Sequence, residues 1–179
     1  MYDVVALGEL LIDFTTQATD PDGYPTMTAH PGGAPANFLA AIAKFGGKAA
    51  LLGKVGTDTF GKLLTDTLRK AGIETKGLVA SDEFFTTLAF VTLDENGDRE
   101  FAFARKPGAD TQLRFDELDL SLIDETRVFH FGTLSLTDEP ARSTTYRTVK
   151  YAKAHGKLIT FDPNLRKPLW RDLGDAKEQ

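Results

Sequence analysis

Apolar runs that alternate with amphipathic stretches constrain the fold of this chain more than any other feature. The run 2–7 is apolar except for Asp3 and stops at Gly8, and the run 49–55 is almost entirely apolar. Such runs are typical of strands that are buried on both faces. Between them, apolar residues recur at helical spacing over 38–45. Two parallel strands need a crossover of this kind, so the sequence predicts a βαβ unit.

The same alternation returns later in the chain. Asp58 stands where it can cap a helix that ends at Gly72. A further helix is predicted over 140–155, before a strand over 158–161. Repeated units of this kind indicate the α/β class, with a parallel sheet as its core.

The middle of the chain has a different period. Alternating segments over 87–93 and 99–105 flank the turn-forming residues 94–98, which predicts a β-hairpin. Extended segments are also predicted over 11–16 and 27–30. We expect these strands to lie outside the parallel sheet as a small second β unit.

Composition excludes several classes of function. The 179 residues allow about one domain, at roughly 100–200 residues each. With 21 basic and 26 acidic residues, the net charge of −5 argues against a nucleic-acid partner. Without cysteine there are no disulfides, thiolate zinc sites or cysteine nucleophiles, and the three histidines lack metal-ligand spacing. The sequence has no basic N-terminal flank and no run of ~18 apolar residues. We therefore expect no signal peptide, no membrane partner and a cytoplasmic location.

The first candidate site follows the first strand, at Glu9 and Asp13. A nucleotide-binding fold would place a glycine-rich turn there, whereas two carboxylates would repel a pyrophosphate. This argues against a nicotinamide-binding module. Carboxylates instead accept hydrogen bonds from sugar hydroxyls. The alternative is that Asp13 only caps a turn.

The second candidate is the pair Gly32 and Gly33 with Asn37 one helical turn later. Two glycines permit a close backbone approach or positive φ, and they precede a helix N-terminus with free N–H groups. Asn37 offers both a donor and an acceptor, which suits a polyol. The alternative is an ordinary strand-to-helix loop.

The third candidate is Arg105, on the same face of the hairpin as Phe103. An aromatic ring beside a guanidinium suits the apolar face and the hydroxyls of a sugar. The alternative is a solvated arginine at the end of a strand.

The fourth candidate follows the last predicted strand. Open α/β sheets bind ligands at the carboxyl ends of their strands. Asn164 and Arg166 are therefore candidates for contacts with phosphate oxygens, and Asp162 for holding a cation through water. The alternative is an Asx turn, which Asp-Pro-Asn favours by itself.

The order and spacing of these segments resemble the ribokinase-like (phosphofructokinase B type) sugar kinases, and within them the fructokinases. The matching segments are GELLIDF (8–14), GGAPANFLAAIAKFGG (32–47), GKVGTDTFGKLL (53–64), TTLAFVTLDENGDREF (86–101), RKPGAD (105–110) and FDPNLRKPLW (161–170). The resemblance implies a Rossmann-like parallel-sheet core with a small β lid, formed by strands within about 12–30 and 86–105.

The resemblance also implies roles in sugar binding. Asp13 resembles the aspartate that receives sugar hydroxyls, and Asn37 resembles a second sugar ligand. Gly32 and Gly33 resemble the hinge between core and lid. Arg105, together with Phe103, resembles a sugar contact on the lid side.

Further roles concern the phosphates. Asn164 resembles an ATP-phosphate contact and Arg166 a substrate or phosphate contact, with ATP and Mg²⁺ as the implied cofactors. Family members run to about 300 residues, so residues 1–179 correspond to their N-terminal portion. The general-base aspartate and most of the nucleotide-binding half are expected beyond Gln179, and no catalytic base is assigned within the chain. The resemblance further implies a homodimer through the lid in the complete enzyme.

We therefore expect an ATP-dependent fructokinase that forms fructose 6-phosphate and ADP. Three alternatives stay open: a 2-keto-3-deoxygluconate kinase, a ribose kinase, or a non-catalytic sugar-binding fragment. Ending a family member at Gln179 should leave an apolar strand such as 49–55 or 158–161 without a neighbour. The isolated chain is therefore expected to be inactive and to self-associate.

Overall fold

The computed structural model describes residues 1–93, 99–170 and 172–178. The described strands are β1 (Tyr2–Leu7), β2 (Leu11–Thr19), β3 (Pro25–Gly32), β4 (Ala49–Gly56), β5 (Leu78–Ser81), β6 (Leu88–Leu93), β7 (Arg99–Ala104), β8 (Thr126–Gly132) and β9 (Leu158–Asp162). The described α-helices are α1 (Ala34–Lys44), α2 (Thr59–Lys70), α3 (Ser121–Asp124), α4 (Ala141–Ala154) and α5 (Leu173–Glu178). Gln179, beyond which the sequence places the general base, lies outside the described residues.

The larger sheet is parallel throughout and has the strand order β5-β4-β1-β8-β9. Alternate residues of its strands point to opposite faces. On one face, Val4 and Leu51 pack with α1 and α2. On the other face, Val5 and Leu52 pack with α3, α4 and Phe129 of β8. Cover on both faces explains why β1 and β4 are continuous apolar runs. The predicted parallel core is confirmed.

The second sheet has the strand order β3-β2-β6-β7. Strands β2 and β3 are antiparallel, β2 and β6 parallel, and β6 and β7 antiparallel. Phe14 of β2 stacks on Phe90 of β6 and meets Phe60 of α2 edge-on, with ring centroids 5.3 and 5.6 Å apart. These ring contacts pack the second sheet against helix α2 of the core. The small β unit outside the parallel sheet is confirmed, while its turn at 94–98 lies outside the described residues.

Both sheets meet at two short connections near the carboxyl end of β1. Residues 8–10 lead from β1 into β2, and Gly33 leads from β3 into α1. Polar groups at these connections therefore lie between the two sheets. This arrangement positions the site described below.

Helix ends follow the sequence signals closely. Asp58 caps α2, accepting hydrogen bonds from the N–H groups of Phe60 and Gly61 at 2.9 and 3.0 Å. Its second oxygen accepts the N–H of Thr86 at 2.8 Å, so the cap also fixes the segment before β6. The carboxylate's hydrogen bonds outweigh partial burial and hold the pKa of Asp58 below its usual range. Helix α1 begins at Ala34 and has Pro35 in its first turn, where proline is tolerated because the N–H groups there have no intrahelical partner.

Two features differ from the sequence-based expectation. Strand β5 was not predicted, because four residues at a sheet edge carry too short a pattern. Of the two strands expected to lack a neighbour, β4 lies between β5 and β1 and is paired on both sides, so that expectation was wrong for 49–55. Strand β9 lies at the sheet edge opposite β5, and Leu158 and Phe161 on it are 63% and 48% exposed.

No helix among residues 1–93, 99–170 and 172–178 is long and apolar enough to cross a membrane.

Candidate functional site

A cleft of about 130 Å³ lies where the second sheet meets the carboxyl edge of the parallel sheet. We call it the hinge cleft. Its lining contains six residues that the sequence singled out: Asp13, Gly33, Asn37, Phe103, Asn164 and Arg166. It also contains Glu9, Leu11, Ala34, Phe101 and Leu134. Residues from five separate segments of the chain therefore converge on one small polar cavity.

Asp13 enters the cleft from β2. It pairs across the second sheet with His30 of β3 and Ala89 of β6. Burial raises the pKa of this half-buried carboxyl, while the charges of Arg166 and His30 lower it. Asp13 is therefore a carboxylate beside a guanidinium rather than a turn cap, since its strand continues for six residues beyond it.

The two glycines allow a close approach to the carboxyl group of Asp13 and to the backbone of Glu9. A Cβ atom at Gly32 would collide with Oδ2 of Asp13, and one at Gly33 would collide with the carbonyl oxygen of Glu9. Gly33 also has a φ of +112°, in the region that side chains disfavour. These are the close approach and the positive φ that the glycine pair suggested, so the segment is more than an ordinary loop.

Helix α1 presents its N-terminus to the cleft. Its cap residue, Gly33, supplies no side-chain hydrogen bond. Instead, the N–H of Ala34 donates to Oε1 of Glu9 at 2.8 Å. Asn37, one turn later, is exposed and lines the same cavity. The helix end thus supplies polar groups and a partial positive charge to the cavity.

Two phenylalanines of β7 form the opposite wall. Phe101 and Phe103 are stacked, with ring centroids 6.1 Å apart. The guanidinium carbon of Arg166 lies 5.4 Å from the centre of the Phe101 ring, within cation–π range. Phe101 was not singled out as a site residue, although it shares the alternating face of Phe103.

The segment after β9 forms an Asx turn, in which the N–H of Asn164 donates to Oδ1 of Asp162 at 3.0 Å. The hydroxyl of Thr133 donates to the carbonyls of Pro163 and Asn164, which ties this turn to the segment after β8. The Asx turn offered as the alternative therefore exists, and it directs Asn164 and Arg166 into the hinge cleft. Asp162 does not line that cleft.

Arg105 lies outside the hinge cleft, in a buried cluster that we call the arginine network. Its Nε donates to Asp110 at 2.8 Å, its Nη1 to Thr137 at 2.7 Å and its Nη2 to the carbonyl of Leu134 at 2.8 Å. The hydroxyl of Thr87 donates to the other oxygen of Asp110. The side chain of Arg105 is 2% exposed, so the solvated arginine offered as an alternative was wrong.

Arg105 and Phe103 also line a second cleft of about 420 Å³, together with Lys106 and Trp170. This second cleft is larger than the hinge cleft, but its lining does not include Asp13, Asn37 or Asn164. The predicted contact of Arg105 with a sugar stays a prediction, and its guanidinium already bonds protein groups on three sides.

His130 does not join either cleft. Its Nδ1 is 3.0 Å from the hydroxyl of Thr160, and its ring packs on Phe38. Burial holds the pKa of His130 below its usual range, although Asp162 raises it. It is the satisfied strand residue that its position between two phenylalanines suggested. Within the described ranges, no three His, Cys, Asp or Glu side chains are grouped to hold a metal ion.

Sequence reasoning noted Glu9 beside Asp13 but did not retain it as a site residue. The structure places it in the cleft lining, 3% exposed. Its position directly after a buried strand was the available signal. Leu11 and Leu134 carried no polar signal and were missed.

Comparison with known proteins identifies the family. The family model described as pfkB family carbohydrate kinase matches residues 1–179. The chain is 46% identical over 178 residues to a probable fructokinase-3 of Arabidopsis thaliana, covering 98% of this chain and 52% of that protein. It therefore spans about half the length of the curated relatives it matches.

Solved structures agree with this assignment. The crystal structure of a fructokinase from Xylella fastidiosa superposes with a TM-score of 0.90 at 35% identity, covering 95% of this chain and 53% of that one. A structure of a fructokinase from Xylella fastidiosa with bound ATP superposes with a TM-score of 0.89 at 34% identity, covering 95% of this chain and 54% of that one. A putative ribokinase II from E. coli, in complex with ATP and Mg²⁺, superposes with a TM-score of 0.87 at 28% identity over 99% of this chain and 57% of its own. The core, the second sheet and the matched residues together show that the chain belongs to the pfkB family of carbohydrate kinases.

Proposed function

We propose that the chain is the sugar-binding half of an ATP-dependent fructokinase. The observation that carries this proposal is the hinge cleft, where two carboxyl groups, two amides, two phenylalanines and a guanidinium surround a cavity of about 130 Å³. Its relatives named as fructokinases support fructose as the substrate. The γ-phosphoryl group of ATP would pass to the 6-hydroxyl oxygen, ADP would leave, and the hydroxyl proton would go to a base.

The hinge cleft suits one sugar ring. Asp13 accepts hydrogen bonds from hydroxyls, and its partial burial strengthens each of them. Asn37 can donate as well as accept. Phe101 and Phe103 cover the apolar face of the ring. Ionised carboxylates here would repel an anion, so a neutral polyol fits this part of the cleft.

Arg166 supplies a positive charge to the same cleft. Arg166 stands over Phe101 at the carboxyl edge of the parallel sheet, next to Asn164. Its guanidinium suits the oxygens of a transferring phosphoryl group. We assign Arg166 to the transferred phosphate and Asn164 to the phosphates of ATP. The acceptor hydroxyl would lie between them and Asp13.

Closure of the second sheet would exclude water from the cleft. The sheet connects to the core near Gly33, whose positive φ marks a glycine-specific conformation. Gly32 beside it leaves room for Asp13. We propose these two glycines as the hinge and the second sheet as the lid. Excluding water matters because water competes with the sugar as the phosphoryl acceptor.

ATP and Mg²⁺ are only partly accommodated by this chain. Asn164 and Arg166 offer groups for phosphate oxygens, whereas Asp162 accepts a backbone hydrogen bond and has no acidic partners grouped around it in the described ranges. The chain's own residues therefore do not form a cage for the ion, and the metal role of Asp162 stays a prediction. No step is assigned to Mg²⁺.

The general base is proposed to lie in sequence that follows Gln179. Within the chain, Asp13 and Glu9 are assigned to sugar binding, and no residue is assigned to proton abstraction. The edge position of β9 supports this division, because a further strand could pair with its backbone, and packing on the two faces of the sheet could cover Leu158 and Phe161. The same edge favours self-association of the isolated chain.

A sugar-binding fragment without catalysis is the second candidate. It is favoured because the chain spans about half of its curated relatives. Ribose and 2-keto-3-deoxygluconate remain competing substrates within the kinase class. The homodimer and the cytoplasmic location expected from the sequence also stay predictions.

The test compares two proteins: residues 1–179 alone, and the same chain with whatever its gene encodes beyond Gln179. ATP-dependent phosphorylation is measured with fructose, ribose and 2-keto-3-deoxygluconate. We expect turnover with fructose for the longer protein only. Turnover by residues 1–179 alone would contradict the placement of the base. A preference for another sugar would replace fructose, and fructose binding without turnover in either protein would favour the second candidate.

A further inference from the structure

The carboxyl group of Glu9 is buried at the hinge cleft with one oxygen unused. Its Oε1 accepts the N–H of Ala34 at 2.8 Å. Its Oε2 has no hydrogen-bond partner within the described part of the chain, although the residue is only 3% exposed. Buried polar atoms nearly always have a partner, so an unpartnered carboxyl oxygen requires an explanation.

The buried surroundings of Glu9 destabilise the ionised form of its carboxyl group. Burial is the main cause that raises the pKa of Glu9 to about 7, and the charge of Asp110 raises the pKa further. The backbone N–H groups of Glu9 and Ala34 and the charge of Arg105 act in the opposite direction. The N-terminus of α1, an eleven-residue helix, favours the ionised form. The fold thus retains a carboxyl group that is only half satisfied. Unpaired buried polar groups of this kind occur at binding sites, where a ligand supplies the missing hydrogen bond and the group is kept for function despite its cost in stability.

The place of Glu9 identifies the kind of ligand. Glu9 lines the same cavity as Asp13 and Asn37, and its backbone carbonyl oxygen lies against Gly33. A phosphate or carboxylate ligand would be repelled by two neighbouring acidic groups. A hydroxyl group, by contrast, donates to a carboxylate oxygen at no cost in charge.

We propose that Glu9 is a further sugar-recognition residue, whose Oε2 accepts a hydrogen bond from a hydroxyl of the bound sugar while Oε1 remains on Ala34. This inference rests on the proposed function and adds a specificity determinant to it. Glu9 requires a hydroxyl donor at one position of the ring, so a sugar lacking that hydroxyl leaves the oxygen unpaired again. Such a sugar would bind more weakly, because its complex would contain a buried carboxyl oxygen without a hydrogen bond.

Glu9→Gln tests this directly. The glutamine oxygen can keep the N–H of Ala34, while an NH₂ donor replaces the accepting Oε2. In the protein that includes any sequence encoded beyond Gln179, we expect the Kd for fructose to rise roughly tenfold to a hundredfold. We expect the Kd for ATP to stay within about twofold and the unfolding midpoint at pH 8 not to fall.

Singly deoxygenated fructose analogues identify the hydroxyl. One analogue should bind the unsubstituted protein weakly, yet bind Glu9→Gln no worse than fructose does, because the two changes remove the same hydrogen bond. If no analogue shows this coupling, or if Glu9→Gln loses stability and sugar affinity together without it, the inference is wrong and Glu9 serves folding alone.

Asp13→Asn separates this inference from the proposed function. Loss of fructose binding in Asp13→Asn, with unchanged binding in Glu9→Gln, would overturn the role of Glu9 and leave the proposed function intact. Unchanged binding in both variants, or no fructose binding by the unsubstituted protein, would overturn both proposals.

Discussion

The arginine network and the hinge cleft are two charged regions on either side of Phe103, and they differ in how completely their polar groups are paired. In the arginine network, Arg105 bonds three different partners and Asp110 is engaged through both oxygens. In the hinge cleft, Oε2 of Glu9 is unpartnered among the described residues, and Asn37 is exposed beside the cavity. A satisfied buried network stabilises one arrangement, whereas unsatisfied groups around a cavity are available to a ligand.

This contrast separates residues that sequence reasoning had grouped together. Arg105 and Arg166 were both expected to contact substrate. Arg105 is held inside the protein, where it ties the end of β7 to the segment after β8. Arg166 is half-buried over an aromatic ring at the cavity. We therefore expect substitutions in the network to affect stability most, and substitutions in the cleft to affect sugar use most.

Asp110→Ala should have the largest effect. It would leave the guanidinium of Arg105 buried without its counterion, which costs about 3–5 kcal/mol of unfolding free energy. Urea denaturation measures the loss. The matched control is Asp138→Ala, which removes a half-exposed carboxylate 3.6 Å from the same guanidinium and should cost less than about 1 kcal/mol. Equal losses would show that Asp110 is no more important to Arg105 than the half-exposed Asp138.

The unfolding free energy should fall with rising pH as the buried carboxyl group of Glu9 ionises. Its pKa in the folded protein is about 7, against 4.5 as a reference, because burial raises it. The folded state therefore binds the proton more tightly. The stabilising contribution is fully present below about pH 4.5 and is lost as the pH rises through about 7, a change of roughly 3 kcal/mol. Asp110 and Arg105 act on this carboxyl from the network and partly oppose each other.

Denaturation of the unsubstituted protein and of Glu9→Gln from pH 4.5 to 8 measures this change. The glutamine variant should lack that part of the pH dependence, so the two curves should converge at low pH and separate at high pH, with the variant more stable. Parallel curves would contradict a buried, half-satisfied carboxyl at this position.

Asp13→Ala should reduce kcat/KM for fructose roughly a hundredfold, since a hydrogen bond to a charged group and the positioning that it provides are both lost. Unfolding free energy should change little. Steady-state kinetics on the protein with any sequence beyond Gln179 provide the measurement. Asp22→Ala, at an exposed aspartate of the turn between β2 and β3, is the control and should behave as the unsubstituted protein. Normal kinetics in Asp13→Ala would remove Asp13 from the site.

Arg166→Met should have the smallest of these effects, about a tenfold loss of kcat/KM. The methionine can still cover Phe101, so unfolding free energy should stay within about 0.5 kcal/mol. Arg105→Met is the comparison, and it should instead destabilise the fold because Asp110 would lose its cation. If both variants lost activity alone and kept their stability, the distinction between network and cleft would fail.

Much of the fold could be predicted because its signals are local. The apolar run of β1 was delimited to the residue, and the cap at Asp58 depends on atoms only two or three positions away. Phe103 and the glycine pair were found for the same reason, through strand alternation and chain geometry. The four-residue β5 has no such local signature, since its pairing with β4 defines it.

The pairing of the charged residues could not be predicted in the same way. Arg105 meets Thr137 across 32 positions, and the carboxyl of Glu9 meets Ala34 across 25. A sequence motif shows that a charged residue is present, but whether its polar atoms are already paired depends on which distant loops converge. In this protein, a charged residue whose polar atoms are all paired stabilises the fold, whereas one with unpaired atoms at the cavity is available to a ligand.

An amide NMR titration with fructose, on the protein that includes any sequence encoded beyond Gln179, tests the central proposal most directly, because it reports where the sugar binds without requiring turnover. With fructose in the range of tens of millimolar, the proposal predicts saturable shifts concentrated at the N–H groups of Gly33, Ala34 and Asn37, and their loss in Asp13→Asn. Shifts concentrated around Lys106 and Trp170, in the larger cleft beside Arg105, or no saturable shifts at all, would contradict it.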